Sequence, residues 1–316
     1  MIGLLALMGI ALTLLLAVLT AILAWEMVRP PRQTLAWAVA RKVAADPGEV
    51  GLRFEEWWLD RLNPPQARLA VWEIEGTGQG NAGLTAVFLH GWGKSRITSL
   101  QRIGPFVPLV DRLVLYDLRG HGESTGSSSR LGDDEDDDLL ALLDRVNESG
   151  RFLLVGHSMG AVIALKAAAK ASGQRPEIRG QPAPLIAGVI AYAPYVDFDR
   201  SLRGRLRVHG YPTRPLTDLA MLIHRLLGLR PAGVDVTQAA SIDVPLLVVH
   251  GVDDVVAPVE DARRIVRAVN GAILVEIEDA AHADAHRVDE ARHAEVVREF
   301  VMRLRNQAVG TCASLK

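Results

Sequence analysis

Six almost wholly apolar runs, each bounded by Gly, Pro or Asp and separated by stretches of helical composition, constrain this chain more than any other feature. They are "LTAVFLH" (84–90), "DRLVLYD" (111–117), "RFLLVG" (151–156), "LIAGVIAYAP" (185–194), "PLLVVHG" (245–251) and "AILVEIE" (272–278). Runs with no polar alternation suit strands buried on both faces, and strands that alternate with helices make a mostly parallel sheet. Helices are expected at Ser95–Ile103, Asp133–Asn147, Ser158–Ala171, Pro258–Val269 and Asp289–Leu304. Ahead of these runs, "RFEEWWL" and "RLAVWEIE" flank the turn signal Asn63-Pro64-Pro65, which predicts an antiparallel pair at one edge. The total is an eight-stranded α/β domain over 51–308, and 316 residues are enough for one such domain.

The alternation breaks at 195–243, between the sixth and seventh core strands. This insertion lies where a cap would cover the mouth of a site, with a helix expected at Thr217–Leu227. Its arginines, Arg200, Arg203, Arg205, Arg207 and Arg214, make either a solvated face or a site for an anionic headgroup. The acidic run "DDEDDD" (133–138) reads as a helix opening, where carboxylates oppose the positive end of the macrodipole. Adjacent acids on a helix point in different directions and make no metal cage. Charge is nearly balanced, with 35 Lys and Arg against 37 Asp and Glu, and no basic stripe argues for nucleic acid. The single cysteine, Cys312 in a polar tail (309–316), excludes an intrachain disulfide framework and a cysteine-based metal cluster.

From Ile2 to Trp25 there is no charged residue. As a helix this segment would extend about 36 Å, against a hydrocarbon core of about 30 Å. A cleaved signal peptide competes with this reading, but such peptides begin with basic residues and carry a shorter apolar run. No Lys or Arg precedes this run, and no clean small-x-small site follows it. The expectation is a single-pass anchor over 1–28. Arg29, Arg32, Arg41 and Lys42 follow it, which places the following domain in the cytoplasm by the positive-inside rule. Pro30-Pro31 ends the span. Residues 32–45 read as a short amphipathic helix within a 29–50 linker, with Leu35, Val39 and Val43 on one face, lying on the membrane or packed on the domain.

"LLVGHSMGAVIALKAAA" (153–169) holds a G-x-S-x-G motif. Alone it would occur by accident in roughly one chain in ten of this length. Here an apolar strand precedes it and an Ala-rich helix follows, the setting a nucleophile elbow requires. Ser158 is the candidate nucleophile. Of nine histidines, His157 lies on the wrong side of the turn, and His90 and His250 each end a strand before a Gly. His121 sits in the loop after the fourth strand, His209 and His224 in the insertion, and His293 on the last helix. His282, in a loop of small residues after the last strand, is the preferred base, with His286 in reserve. After the seventh strand, "HGVDDVVAP" offers Asp253 or Asp254 to orient the imidazole, and Asp254 is preferred, with Asp197 behind it. The expected oxyanion donors are the backbone N–H of Met159 and that of Trp92 in "HGWGKS".

"FLHGWGKS", "YDLRGHGES", "LVGHSMGA", "VVHGVDDVVAP" and "AAH" occur in the order and spacing of the α/β-hydrolase superfamily, and the chain resembles that superfamily over about residues 50–305. Ser158, Asp254 and His282 follow its Ser, acid, His order. The layout also resembles membrane-anchored bacterial hydrolases of the lysophospholipase or serine-aminopeptidase type. One departure is "RLNPPQAR" where such proteins often have a "DG" turn. The resemblance implies a serine esterase that needs no metal and no organic cofactor, acting on amphipathic esters such as lysolipids, monoacylglycerols or thioesters. An amidase, peptidase or haloperoxidase would use the same triad. The competing class is a non-catalytic, membrane-tethered binding protein on a hydrolase fold, which a replaced triad position would favour.

Overall fold

A computed structural model describes the chain except residues 62–65, 79–82, 147–149, 173–176, 179–180, 183–184 and 314–316, and except the side chains of 177–178, 181–182 and 307–313. The Asn63-Pro64-Pro65 turn and the Cys312 side chain therefore lie outside the described residues. The chain begins with α1 (Ile2–Val28), α2 (Leu35–Arg41) and a 3-10 turn at Pro47–Val50. The antiparallel strands β1 (Phe54–Arg61) and β2 (Ala67–Glu75) come next. The alternating part runs β3 (Leu84–Leu89), α3 (Arg96–Leu100), β4 (Arg112–Tyr116), α4 (Glu135–Arg145), β5 (Arg151–His157) and α5 (Met159–Ala171). A two-residue ladder, β6 (Glu177–Ile178) with β7 (Gln181–Pro182), precedes β8 (Leu185–Tyr192). The cap region holds α6 (Phe198–Val208), α7 (Leu216–Leu226) and α8 (Val236–Ala239). The chain then continues through β9 (Leu246–Gly251), α9 (Val259–Ala268), β10 (Ile273–Ile277), α10 (Ala285–Val288) and α11 (Glu290–Ala313).

Eight strands form one sheet in the order β1-β2-β4-β3-β5-β8-β9-β10. β2 pairs antiparallel with β1 and β4, and every other pairing in this sheet is parallel. Strand alternation divides the core between two faces. Val87, Leu89, Phe152, Leu154 and Val248 pack with α4, α5 and α9 on one side. Ala86, Phe88, Leu153, Val155 and Val249 pack with α2, α3 and α11 on the other. The chain leaves β3 toward β4 and leaves β5 toward β8, so the strand order reverses between β3 and β5. In open parallel sheets this switch point leaves a crevice at the carboxyl ends of the strands.

The structure departs from expectation in five places. The short helix expected over 32–45 spans only Leu35–Arg41, because Lys42 takes a left-handed conformation that ends it. It turns Trp37 and Ala38 toward the core, with Val43 following just after it, and leaves Leu35 and Val39 exposed. The segment around it is tied down: Arg32 donates to the carbonyls of Ser124 (2.6 Å) and Gly126 (2.6 Å), and Glu123 accepts from the Leu35 N–H (2.9 Å). The helix at 96–100 is shorter than expected, and α6 was not anticipated, its arginines masking a helical periodicity. The acidic run does open a helix, but Glu135, Asp136 and Asp138 are buried. Asp138 binds Arg119 and Arg61, Asp136 binds Lys166 and Lys170, and Glu135 accepts from the N–H groups of Arg130 and Gly132. Among the described residues no cluster of His, Cys, Asp and Glu is arranged to hold a metal. The last helix continues to Ala313, into the expected tail.

Candidate active site

The elbow forms because two glycines let three backbones converge. A Cβ on Gly156 would lie 2.4 Å from the Gly160 carbonyl oxygen, and one on Gly160 would lie 2.3 Å from that of Leu89. No side chain fits at either place. Ser158, between them, has φ 54° and ψ −118°, a conformation that costs a non-glycine residue about 1–3 kcal/mol. Its hydroxyl is thereby lifted over the carboxyl end of β5, at the start of α5.

Two further loops from the same sheet edge meet it. His282 Nε2 lies 2.8 Å from Ser158 Oγ, and His282 Nδ1 lies 2.7 Å from Asp254 Oδ2. The second Asp254 oxygen accepts from the N–H groups of Val256 and Ala257, each at 2.8 Å. Burial alone would raise this carboxyl. The contacts of His250 and His282 and the Ala257 N–H outweigh it and hold the pKa down at about 2. An ionised carboxylate only accepts, so Nδ1 of His282 carries the ring proton and Nε2 is left to accept from the Ser158 hydroxyl. Burial pushes the His282 pKa below 6.5; the Asp254 carboxylate opposes this, and Arg205 adds to it. The ring is therefore neutral at pH 7, the form a base needs.

The remaining candidates have other surroundings. Asp253 is exposed, and Asp197 caps α6 by accepting from the N–H of Asp199 and of Arg200. His286 sits on α10, its ring against that of His293. His157 Nε2–H donates to the carbonyl of His282 at 2.9 Å, steadying the loop that carries the proposed base. His90 donates to Gly91 O and accepts from the Leu118 N–H, and burial holds it neutral with a pKa of about 4. Trp92 and Met159 both line the space over Ser158. Their backbone N–H groups donate to no protein acceptor among the described residues.

That space is a cavity of about 220 Å³. Its walls come from α5 and the loop after β3, from α6 (Phe198, Leu202, Arg205), and from Leu23, Glu26 and Met27 at the end of α1. Trp92 Nε1–H donates to the Met27 carbonyl at 2.8 Å, and the Arg205 guanidinium lies 5.1 Å over the Trp92 ring. Of the cap arginines, Arg200 binds Asp261, Arg203 binds Asp199 and Asp218, Arg214 binds Asp218, and Arg207 is exposed. Arg205 alone among them lines the cavity.

Residues 86–299 match the model of the alpha/beta hydrolase family. The chain belongs to the alpha/beta hydrolase family. It is 30% identical over 226 residues to YqkD, an uncharacterised protein of Bacillus subtilis (strain 168), covering 69% of this chain and 70% of that one. Among solved structures, an esterase of Pyrococcus furiosus superposes with a TM-score of 0.66 at 22% identity, over 88% of this chain and 98% of its own. A thermophilic esterase from Thermogutta terrifontis gives 0.56 at 20% identity, over 80% and 99%. A bromoperoxidase from Bacillus anthracis gives 0.54 at 18%, over 78% and 100%.

Some contacts in this alpha/beta hydrolase were not foreseen from sequence. Asp117, in "YDLRGHGES", accepts from the N–H groups of Arg96 (2.7 Å) and Glu123 (2.9 Å), which joins the loop after β4 to the loop that carries Trp92. His250 Nε2–H donates to Ala257 O at 2.6 Å and lies 3.4 Å from Asp254. Its place at the end of a strand, four residues before Asp254, was the available signal. Nothing local marked Met27 as a wall residue or singled out Arg205 from the other cap arginines, because both reach the cavity through tertiary packing.

Proposed function

We propose that this protein is a serine hydrolase of carboxylic esters. The observation that carries the reading is the unbroken contact from Ser158 Oγ through His282 to Asp254. Ser158 attacks the acyl carbonyl while His282 Nε2 takes its proton, and Asp254 keeps the imidazole in the required tautomer and stabilises its charged form. The oxyanion is met by the N–H groups of Trp92 and Met159. His282 then returns the proton to the leaving alcohol, and water, activated by the same base, releases the acid. No step calls on a metal or an organic cofactor. The largely apolar cavity suits an acyl chain, so lysolipids, monoacylglycerols and acyl thioesters are the substrates to try first. Amide hydrolysis and haloperoxidase chemistry would draw on the same three residues. A purely binding role would leave the preorganised serine without use.

One N-terminal helix, Ile2–Val28, is long and apolar enough to span a membrane. We read it as a retained anchor. Its end is built into the domain: Thr20, Ala24 and Met27 are buried, Trp92 binds the Met27 carbonyl, and the Ser129 N–H binds that of Val28. Excision would open a wall of the cavity. The basic residues after the span favour a cytoplasmic domain, which protease protection in right-side-out vesicles tests. The decisive experiment for the activity is a fluorophosphonate probe with p-nitrophenyl esters of graded length. Wild type should label and hydrolyse, and Ser158→Ala should do neither. Equal labelling of both proteins would remove Ser158 from the role.

A further inference from the structure

The first helix and the cap are one packed unit. Ala24 and Met27 of α1 share an apolar cluster with Leu202 of α6 and Ala220 and Met221 of α7. Residues 2–19 stand clear of the domain, all exposed except the half-buried Leu16. These eighteen helical residues extend about 27 Å, close to the thickness of a hydrocarbon core. The boundary of a bilayer spanned by α1 therefore falls where α1 meets α7.

At that level α7 carries apolar residues on its outer side too. Its inner face buries Thr217, Ala220, Met221 and His224. Its outer face presents Leu219, Leu222 and Leu226 at helical spacing, followed by Leu227, the last two 78% and 76% exposed. A helix facing water carries polar residues on its outer side, and an apolar stripe there marks a surface with a partner. Val208 and Tyr211, from the end of α6 and the turn after it, are exposed as well, and so are Arg207, Arg214 and Arg225 of the same segment. Leucines flanked by arginines are the composition of a helix lying in a lipid interface. The cavity opens at the same level: Leu23 and Glu26 of α1, and His209 and Tyr211 of the turn after α6, all line it.

We propose that the outer face of the α6–α7 cap docks on the leaflet from which α1 emerges, so that the cavity over Ser158 opens onto the lipid surface and takes its acyl ester from there. This rests on the anchor and ester-hydrolase readings above. The occupant is the bilayer because the stripe continues the exposed surface of a helix that is itself long and apolar enough to span one.

The test uses the full chain with Cys312→Ser, reconstituted in vesicles of phosphatidylcholine and phosphatidylglycerol. An environment-sensitive fluorophore is placed on Leu222→Cys, on Leu226→Cys, or on Asn270→Cys, an exposed residue at the opposite end of the strands from Ser158. Lipids brominated in their acyl chains should quench both cap positions at least about threefold more than Asn270. Hydrolysis is read in parallel. Leu222→Glu/Leu226→Glu should hydrolyse soluble p-nitrophenyl acetate like wild type, yet cleave a vesicle-embedded acyl ester at least about tenfold more slowly. Quenching at the cap no greater than at Asn270 overturns the proposal, including the case where cross-linking shows the leucines buried against a second copy of the chain. So does a double variant that cleaves the vesicle ester at the wild-type rate. If wild type cleaves neither ester, the hydrolase reading fails by itself, and the quenching still decides the docking.

Discussion

Replacing Asp254 by Asn keeps the shape of the site and inverts its hydrogen-bond logic. The side-chain oxygen that accepts from Val256 and Ala257 can be retained, so the turn after β9 should hold. The group facing His282 becomes an NH2, which only donates. His282 Nδ1 must then accept, its proton moves to Nε2, and Nε2 can no longer take the proton of Ser158. Loss of the correct tautomer in a triad of this kind costs about 10⁴-fold in kcat, or about 5.5 kcal/mol of transition-state stabilisation. The structure also predicts a stability effect. A buried carboxyl held at about 2 rather than 3.8 favours its anion by about 2.4 kcal/mol. Because the folded pKa is the lower one, this contribution is complete above about pH 4 and is lost as pH falls toward 2. Wild type should therefore exceed Asp254→Asn by about 2 kcal/mol in denaturant unfolding at pH 7, and the gap should close below pH 4. Activity is read as p-nitrophenyl butyrate hydrolysis from pH 4 to 9. The wild-type acid limb of kcat/KM should lie below 6.5, because burial favours neutral His282. A variant within tenfold of wild type, or an acid limb above 6.5, would refute the assignment.

Ser158→Gly should abolish hydrolysis yet raise stability by about 1 kcal/mol over Ser158→Ala, because glycine accepts φ 54° without strain; matched denaturation midpoints would count against stored strain at the elbow. Asp138→Ala should cost about 3–5 kcal/mol, since it leaves buried Arg119 without its carboxylate. Thermal unfolding checks this, and a drop below 1 kcal/mol would mean that the pair is solvated.

The sheet was legible because its chemistry is local. Runs such as "LLVGH" and "LLVVHG" have no polar alternation, so burial on both faces was the one economical reading, and the strand bounds differ from expectation by at most a few residues. The positions of Ser158, Asp254 and His282 were legible for a related reason. In a parallel sheet every strand ends at the same edge, so residues that follow strands in sequence converge in space without further information. Helix α6 was not legible, since its four arginines disguise a face formed by Phe198, Ser201, Leu202 and Arg205. Nor was the burial of Asp136 and Asp138, which depends on cations from β1, from the loop after β4 and from α5.

The contacts that tie the N-terminal segment to the site were the least legible, because none is local. Met27 holds the Trp92 indole, Pro31 lies against Gly93, and Arg32 grips the carbonyls of Ser124 and Gly126. Asp117 then links that loop back to Arg96, four residues after Trp92. Each contact of the N-terminal segment spans tens of residues in sequence and uses a backbone carbonyl or a proline ring, features that leave no motif. Together they connect the end of α1 to the loop whose N–H is the proposed oxyanion donor. A displacement of α1 therefore reaches this loop through packed contacts and not through a flexible tether. The 29–50 segment, expected as a linker, is part of the scaffold that positions the site.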